Sequence, residues 1–246
     1  MSFIIAVYVP EGIVMASDSR QAVTVEGKAA QGKTFKVETV NSDAITKTFL
    51  LEHQQIGIAN FGQDLLGGVP MASHIKGFIE EELSPKDDVT TVPKKLVDYF
   101  RKSFPDADAG FHIGGYKKEG RVSVPHIYSC HISQNAVERR NIQKDGSLIY
   151  GAAWSGQGDI LTSIINAIVI KDEQGNDKVI RSPAPIIWKA MALQDAIDFA
   201  IYAIRTTIDT MRFQARPKNV GGPIDVLVLT PDEAKWIQSK ELHGSS

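Results

Sequence analysis

The sequence predicts an α+β protein in which two mostly antiparallel sheets face each other, each covered by helices on its outer side. Three observations predict it. The segments come in blocks, strands then two helices, strands then two helices, then a strand, unlike the β-α-β-α alternation of a doubly wound sheet. "FIIAVYV" (3–9) opens the chain as a buried strand. "MALQDAIDFAIYAIRTTIDTMRF" (191–213) puts Leu193, Ile197, Ala200, Ile201, Ile204, Ile208 and Met211 on one face, with Asp195, Asp198, Arg205, Asp209 and Arg212 opposite, which is the pattern of a surface-lying helix.

The elements follow in order. Ser2 to Val9 and Gly12 to Asp18 are strands. Next comes "GKAAQGKT" (27–34), which spells the phosphate-loop pattern G-x-x-x-x-G-K-[ST]. That pattern cradles phosphate only when a helix starts inside it. Here "QAVTVEG" before it and "FKVETV" after it both alternate, so a hairpin turning at Gly27 to Gly32 is expected, and nucleotide binding is disfavoured. "AITKTFLLE" and "QQIGIANF" form a strand pair around His53 and Gln54. Gln63 to Leu83 reads as a helix despite Gly67, Gly68 and Pro70, and Pro93 to Ser103 as a second. The charged "SPKDDVTTVPKK" between them is a solvated loop. "AGFHIGGYK", "RVSVPHIYSCHIS", "AVERRNIQ" and "SLIYGAAW" are strands divided by turns, and "GDILTSIINAIVI" (158–170) is a helix. "IDVLVLT" (224–230) is the last strand.

The bulk numbers narrow the function classes. With 246 residues, 43% hydrophobic and 23% charged, the chain suits one large domain or two small ones. A net charge of −2 gives no basic field for nucleic acid and no polybasic run for a membrane. The apolar start is too short to span a bilayer and lacks the basic flank of a signal peptide. Cys130 is the single cysteine, so no internal disulfide forms; a reducing, cytoplasmic setting is expected.

Two charges stand where apolar residues point. Asp18 shares a face with Val14 and Ala16, and Lys47 with Ile45, Phe49 and Leu51. A charge facing the core is costly unless paired, so an Asp18–Lys47 pair is expected, structural or functional. Ser155 in "AWSGQGD" precedes a helix, but Ala153 stands where a G-x-S-x-G motif has glycine. His53, His74, His112, His126, His131 and His243 form no H-x-x-x-H or H-E-x-x-H pattern, and no metal or cofactor is expected.

The blocks "IIAVYVPEGIVMASDSR", "TKTFLL", "IGIANFGQD", "YGAAWSGQGD", "ALQDAIDFAIYAIRTTID" and "VGGPIDVLVLT" together resemble proteasome β-type subunits and their bacterial relatives, the Ntn (N-terminal nucleophile) hydrolases. The resemblance implies a four-layer αββα sandwich as a single domain over residues 1–246. It implies Ser2 as nucleophile after Met1 removal, its own α-amine as base, and peptide or unfolded protein as substrate. It carries the family's lysine onto Lys47, its acidic partner onto Asp18, and the serine that hydrogen-bonds the amine onto Ser155. It places the backbone oxyanion donor at Ala59 or Asn60. Pro217 and Val220 stand where many relatives carry an Asp and a Ser beside the amine. A homo-oligomeric ring is implied, with an ATPase partner left open. A catalytically inactive scaffold subunit of the same fold is the alternative.

Overall fold

The computed structural model describes residues 2–28, 33–172, 174–181 and 183–241. Met1, His243 and most of the expected turn between Gly27 and Gly32 lie outside them. The strands are β1 (Phe3–Val9), β2 (Gly12–Ser17), β3 (Gln21–Lys28), β4 (Thr34–Ser42), β5 (Thr48–Leu51), β6 (Ile56–Gly62), β7 (Leu65–Leu66) and β8 (Val69–Pro70). Helices α1 (Met71–Glu82) and α2 (Val92–Ser103) follow, then β9 (Ala109–Glu119), β10 (Val122–His131), β11 (Ala136–Arg139) and β12 (Gly151–Gly156). After α3 (Asp159–Ile165) come β13 (Ile168–Lys171), β14 (Asp177–Arg181), α4 (Leu193–Phe213), β15 (Asp225–Leu229) and β16 (Ala234–Gln238).

One five-stranded sheet runs β12-β1-β2-β15-β16 and a second runs β11-β10-β9-β6-β5. Their facing sides meet in an apolar layer of Ile4, Ala6, Ile13, Met15 and Leu227 against Ala59 and Ile127. The alternate residues of β1, Phe3, Ile5 and Val7, point the other way onto α3 and α4. Burial on both faces is why "FIIAVYV" is a continuous apolar run and not an alternating one. On the second sheet, Ile58, Phe111 and Ile113 pack against Ile75 and Phe78 of α1 and Leu96 and Phe100 of α2.

The fold class expected from sequence is corrected by the balance and partition of these elements. Strand outweighs helix, sixteen strands against four α-helices among the described residues, so the chain is mostly β. Six of those strands stand apart from the two large sheets, in the two-stranded sheets β3-β4, β7-β8 and β13-β14. The clean helix-covered four-layer sandwich is therefore not what the molecule builds. Two local causes account for part of the excess. Gly67 and Gly68 both adopt positive φ, 59° and 78°, and close the β7-β8 hairpin, so the helix expected from Gln63 starts only at Met71. Ile168, Val169 and Ile170 are β-branched and form a strand, which ends the helix expected over 158–170 at Ile165. The β3-β4 pairing matches expectation: Thr34 opens a strand, so no helix starts at the Thr of "GKAAQGKT".

The start of β1 is fixed by a glycine. Gly156 has φ 87°, and a Cβ there would overlap the Ser2 carbonyl oxygen. Gly156→Ala is expected to cost about 1–2 kcal/mol for the left-handed backbone and more for the displaced Ser2, seen as a lower urea midpoint.

Candidate active site

The end of the molecule where β1 begins is held by one carboxylate. Asp18 follows β2 and is fully buried, as is Lys47 just ahead of β5 in the opposite sheet. The Asp18 Oδ1 accepts from Lys47 Nζ at 2.8 Å and from the Phe3 N–H at 2.9 Å. Its Oδ2 accepts from the Arg20 N–H at 3.1 Å and the Gly221 N–H at 3.0 Å. Lys47 also donates to the Arg20 carbonyl at 2.6 Å. Beside this network the Thr48 hydroxyl donates to Ser17 Oγ at 2.8 Å, again from sheet to sheet. At the rim Arg20 forms a two-pronged pair with Asp43, whose hydrogen bonds hold the Asp43 carboxyl below its ordinary range.

Ser2 is buried and lies one residue before the amide that shares Oδ1 with Lys47. Its carbonyl accepts from the Gln157 N–H at 2.8 Å. Ile4 is the cross-strand partner of Ser155, so Ser155 lies on the side of β12 that faces the second sheet. The sheet period of two puts Ser2 on that same side of β1. Ser2, Asp18, Lys47 and Ser155 are thus gathered at one end of the inter-sheet layer.

The Ala59–Asn60 stretch is close by but differently employed. The Asn60 N–H donates to the Lys47 carbonyl at 2.8 Å. Ala59 lies inside the ladder between Thr48 and His112, and the alternation of an antiparallel pair turns its N–H toward β9. Neither N–H is a free oxyanion donor in this arrangement. The Asn60 carboxamide is buried with both its oxygen and its nitrogen unpaired among the described residues.

Two features of the site escaped the sequence. The first is His112 on β9, whose Nε2 stands 2.9 Å from Ser155 Oγ. Burial pushes its pKa down to about 3, aided by the Arg140 guanidinium and opposed by the Ala153 backbone. The only signal was that His112 shares its strand face with Gly110 and Gly114, small residues that let a polar side chain reach across. The second is Gly221. Where the resemblance places polar side chains, Pro217 is exposed and Val220 is buried against α4's layer, and the Gly221 backbone reaches Asp18 instead. Ser155 opens on a cleft of about 300 Å³ lined by Ser129, Arg140, Ala152, Ala153 and Trp154.

With that geometry in view, the comparisons with known proteins bear on the fold. No family model matches the chain and no curated protein matches it. Solved structures do. A Gly-1 mutant of Anbu from Hyphomicrobium sp. strain MC1 is 15% identical with a TM-score of 0.58, covering 100% of this chain and 89% of that one. Anbu (ancestral beta-subunit) from Yersinia bercovieri is 14% identical with a TM-score of 0.57, covering 96% and 86%. The fold is that of Anbu, and in this sense proteasome-like. Membership of the proteasome β-type and bacterial Ntn hydrolase family, which the sequence blocks implied, is corrected: without a family or curated match, and at 14–15% identity, the likeness is one of fold alone.

Two outcomes test the network. Asp18→Asn strands the buried Lys47 ammonium and is expected to cost about 3–5 kcal/mol, whereas Lys47→Met leaves Asp18 three backbone donors and is expected to cost less in the same urea titration. The buried His112 stays neutral while the unfolded chain protonates below its ordinary 6.5, so stability falls as pH drops from 6.5 toward 3. His112→Phe is expected to flatten that slope, by up to about 1.4 kcal/mol per pH unit.

Proposed function

We propose that the chain is an N-terminal-nucleophile amide hydrolase of the peptidase type, with Ser2 as the nucleophile once Met1 is removed. The observation that carries this reading is the sharing of Asp18 Oδ1 between the Lys47 ammonium and the amide adjoining Ser2. A structural ion pair needs no such neighbour. A site that has to set the protonation of a nucleophile does.

The chemistry follows from the groups present. A freed Ser2 α-amine titrates near ~8 and takes the proton from its own Oγ. The Oγ–C bond forms at a substrate amide carbonyl, the C–N bond breaks, and the proton passes to the departing amine. Water then attacks the ester with the α-amine as base, which releases the carboxylic acid and restores Ser2. The fixed Lys47 charge favours the neutral amine and the developing alkoxide. Asp18 holds Lys47 oriented. Ser155 contacts the amine. With Asn60 and Ala59 committed to their ladders and the Ser155 hydroxyl to the amine, the oxyanion is left to the other donors of the cleft, Ser129 and Arg140.

A homo-oligomer acting on peptides or unfolded protein belongs to the same reading. Supporting it, the β3-β4 hairpin exposes Phe35, Val37 and, across the ladder, Val25 on one face, and the β13-β14 hairpin exposes the cross-strand pair Val169 and Val179. Contiguous exposed apolar surface marks interaction sites. No helix among the described residues is long and apolar enough to cross a membrane.

The deciding experiment is the intact mass of the purified protein before and after treatment with a β-lactone acylating probe. The expected result is loss of Met1, one adduct on Ser2, and no adduct in Lys47→Ala. An adduct that survives Lys47→Ala sinks the mechanism. Retained Met1 with no adduct favours a catalytically inactive scaffold of this fold, the reading that Pro217 and Val220 support.

A further inference from the structure

The Ser155–His112 contact joins the two sheets beside the Asp18–Lys47 and Ser17–Thr48 contacts, and no step above needs it. His112 is 1% exposed and lies on the β9 face turned toward the first sheet, since its cross-strand partner Ala59 belongs to the inter-sheet core. Nε2 meets Ser155 Oγ with the Ala153 backbone also against the ring, while Nδ1 is buried with no partner in hydrogen-bond geometry among the described residues.

That asymmetry fixes the proton. A lone pair left dry costs less than an N–H left dry, and orphaned buried N–H groups are the rarer of the two. The imidazole proton therefore resides on Nε2 and is donated to Ser155 Oγ. An oxygen occupied as acceptor on one side turns its own O–H to the other. The other side is the cleft and the end of β1, where Ser2 shares the face of Ser155 and is tethered to Gln157.

The direction of that O–H matters for an amine. A hydroxyl that donates to nitrogen stabilises the neutral amine, whereas one that accepts stabilises the ammonium. We propose that His112 is a positioning residue of the Ser2 site, which turns the Ser155 hydroxyl proton toward the Ser2 α-amine and keeps that amine in its basic form. This rests on the reading of Ser2 as nucleophile. Because burial keeps His112 neutral, the orientation does not titrate through the working pH range. The other charges near this end, among the described residues, are Lys47 ahead of β5, Asp18 after β2, the Arg20–Asp43 pair at the rim, Arg140 after β11 with its partner Glu138, and the Asp159–Arg216 pair beside Gln157.

The test is the rate of Ser2 acylation by the β-lactone probe from pH 5 to 10, read by intact mass on protein lacking Met1. In His112→Phe, which keeps the ring and removes its nitrogens, the midpoint of the pH profile is expected to rise by about one unit. That corresponds to a roughly tenfold slower reaction below the midpoint. Ser155→Ala gives the same shift without touching the ring, the double variant adds nothing further, and His112→Gln, which again offers an N–H donor, recovers part of it. A merely structural role lowers the rate or the folded fraction and leaves the midpoint where it was. An unmoved midpoint in Ser155→Ala, or in a folded His112→Phe, overturns this proposal and leaves Ser2 as nucleophile. Absence of acylation at any pH in the unaltered protein overturns both.

Discussion

A carboxylate with four donors organises this end of the molecule. Asp18 binds the first amide of β1, the backbone after β2, the Lys47 ammonium from the second sheet, and the loop before β15. Three chain segments distant in sequence, at Phe3, Lys47 and Gly221, join the neighbouring Arg20 backbone on two oxygen atoms. Desolvating a carboxylate and an ammonium costs several kcal/mol each, and an apolar pair of equal volume is often as stable or more so. Stability alone therefore does not account for an ion pair here. What an apolar pair lacks is a positive charge fixed beside Ser2. The backbone donors satisfy the buried Asp18 carboxylate, and that carboxylate in turn pairs with Lys47.

Near the Ser2 end polar contacts join the two sheets from Asp18 to Lys47, Ser17 to Thr48, and Ser155 to His112, and at the far end the Ala234 N–H donates to Gln55 Oε1 at 2.7 Å. Further along, the layer is Ala6, Ile13, Met15, Ile127 and Leu227, which pack without direction. Packing fixes the separation of the sheets, and hydrogen bonds, clustered at the Ser2 end, fix their register. Residues on different sheets are thereby held to hydrogen-bonding tolerance, which a purely apolar layer does not impose. The unpaired Asn60 carboxamide lies on the opposite face of β6, beyond this set.

How much of this the sequence disclosed depends on the range of the interaction. The β1 and β2 strands and α4 were legible because their patterns are local: a continuous apolar run and a 3.6-residue stripe. Asp18 and Lys47 were legible because each is a charge in an apolar row, so the pairing followed from cost. Gln63–Leu83 was misread because apolar spacing outweighed Gly67, Gly68 and Pro70, whereas positive φ at the two glycines decided the hairpin. The β13-β14 hairpin and β16 were missed; β13 was folded into a helix by its apolar residues. His112 and Ser155 are 43 residues apart on different sheets, and nothing local links them. The blocks that suggested a family are mostly doubly buried strands and their turns. Such strands are constrained by layer packing, so they track the fold and carry little about descent.

The loop before β15 shows why the histidine carries weight. Successive residues there turn in opposite directions: Val220 enters the core against α4, and Gly221 turns its N–H to Asp18. A side chain committed to the core cannot also face the end of β1. The loop therefore contributes backbone to Asp18 and, at Val220, no polar group toward Ser2. On the β12 side, Ser155 is the polar side chain that shares the face of Ser2. A lone hydroxyl rotates freely and serves as donor or acceptor by turns. A second partner is needed to choose between those states, and a neutral imidazole with one nitrogen left dry makes that choice without adding charge to the site.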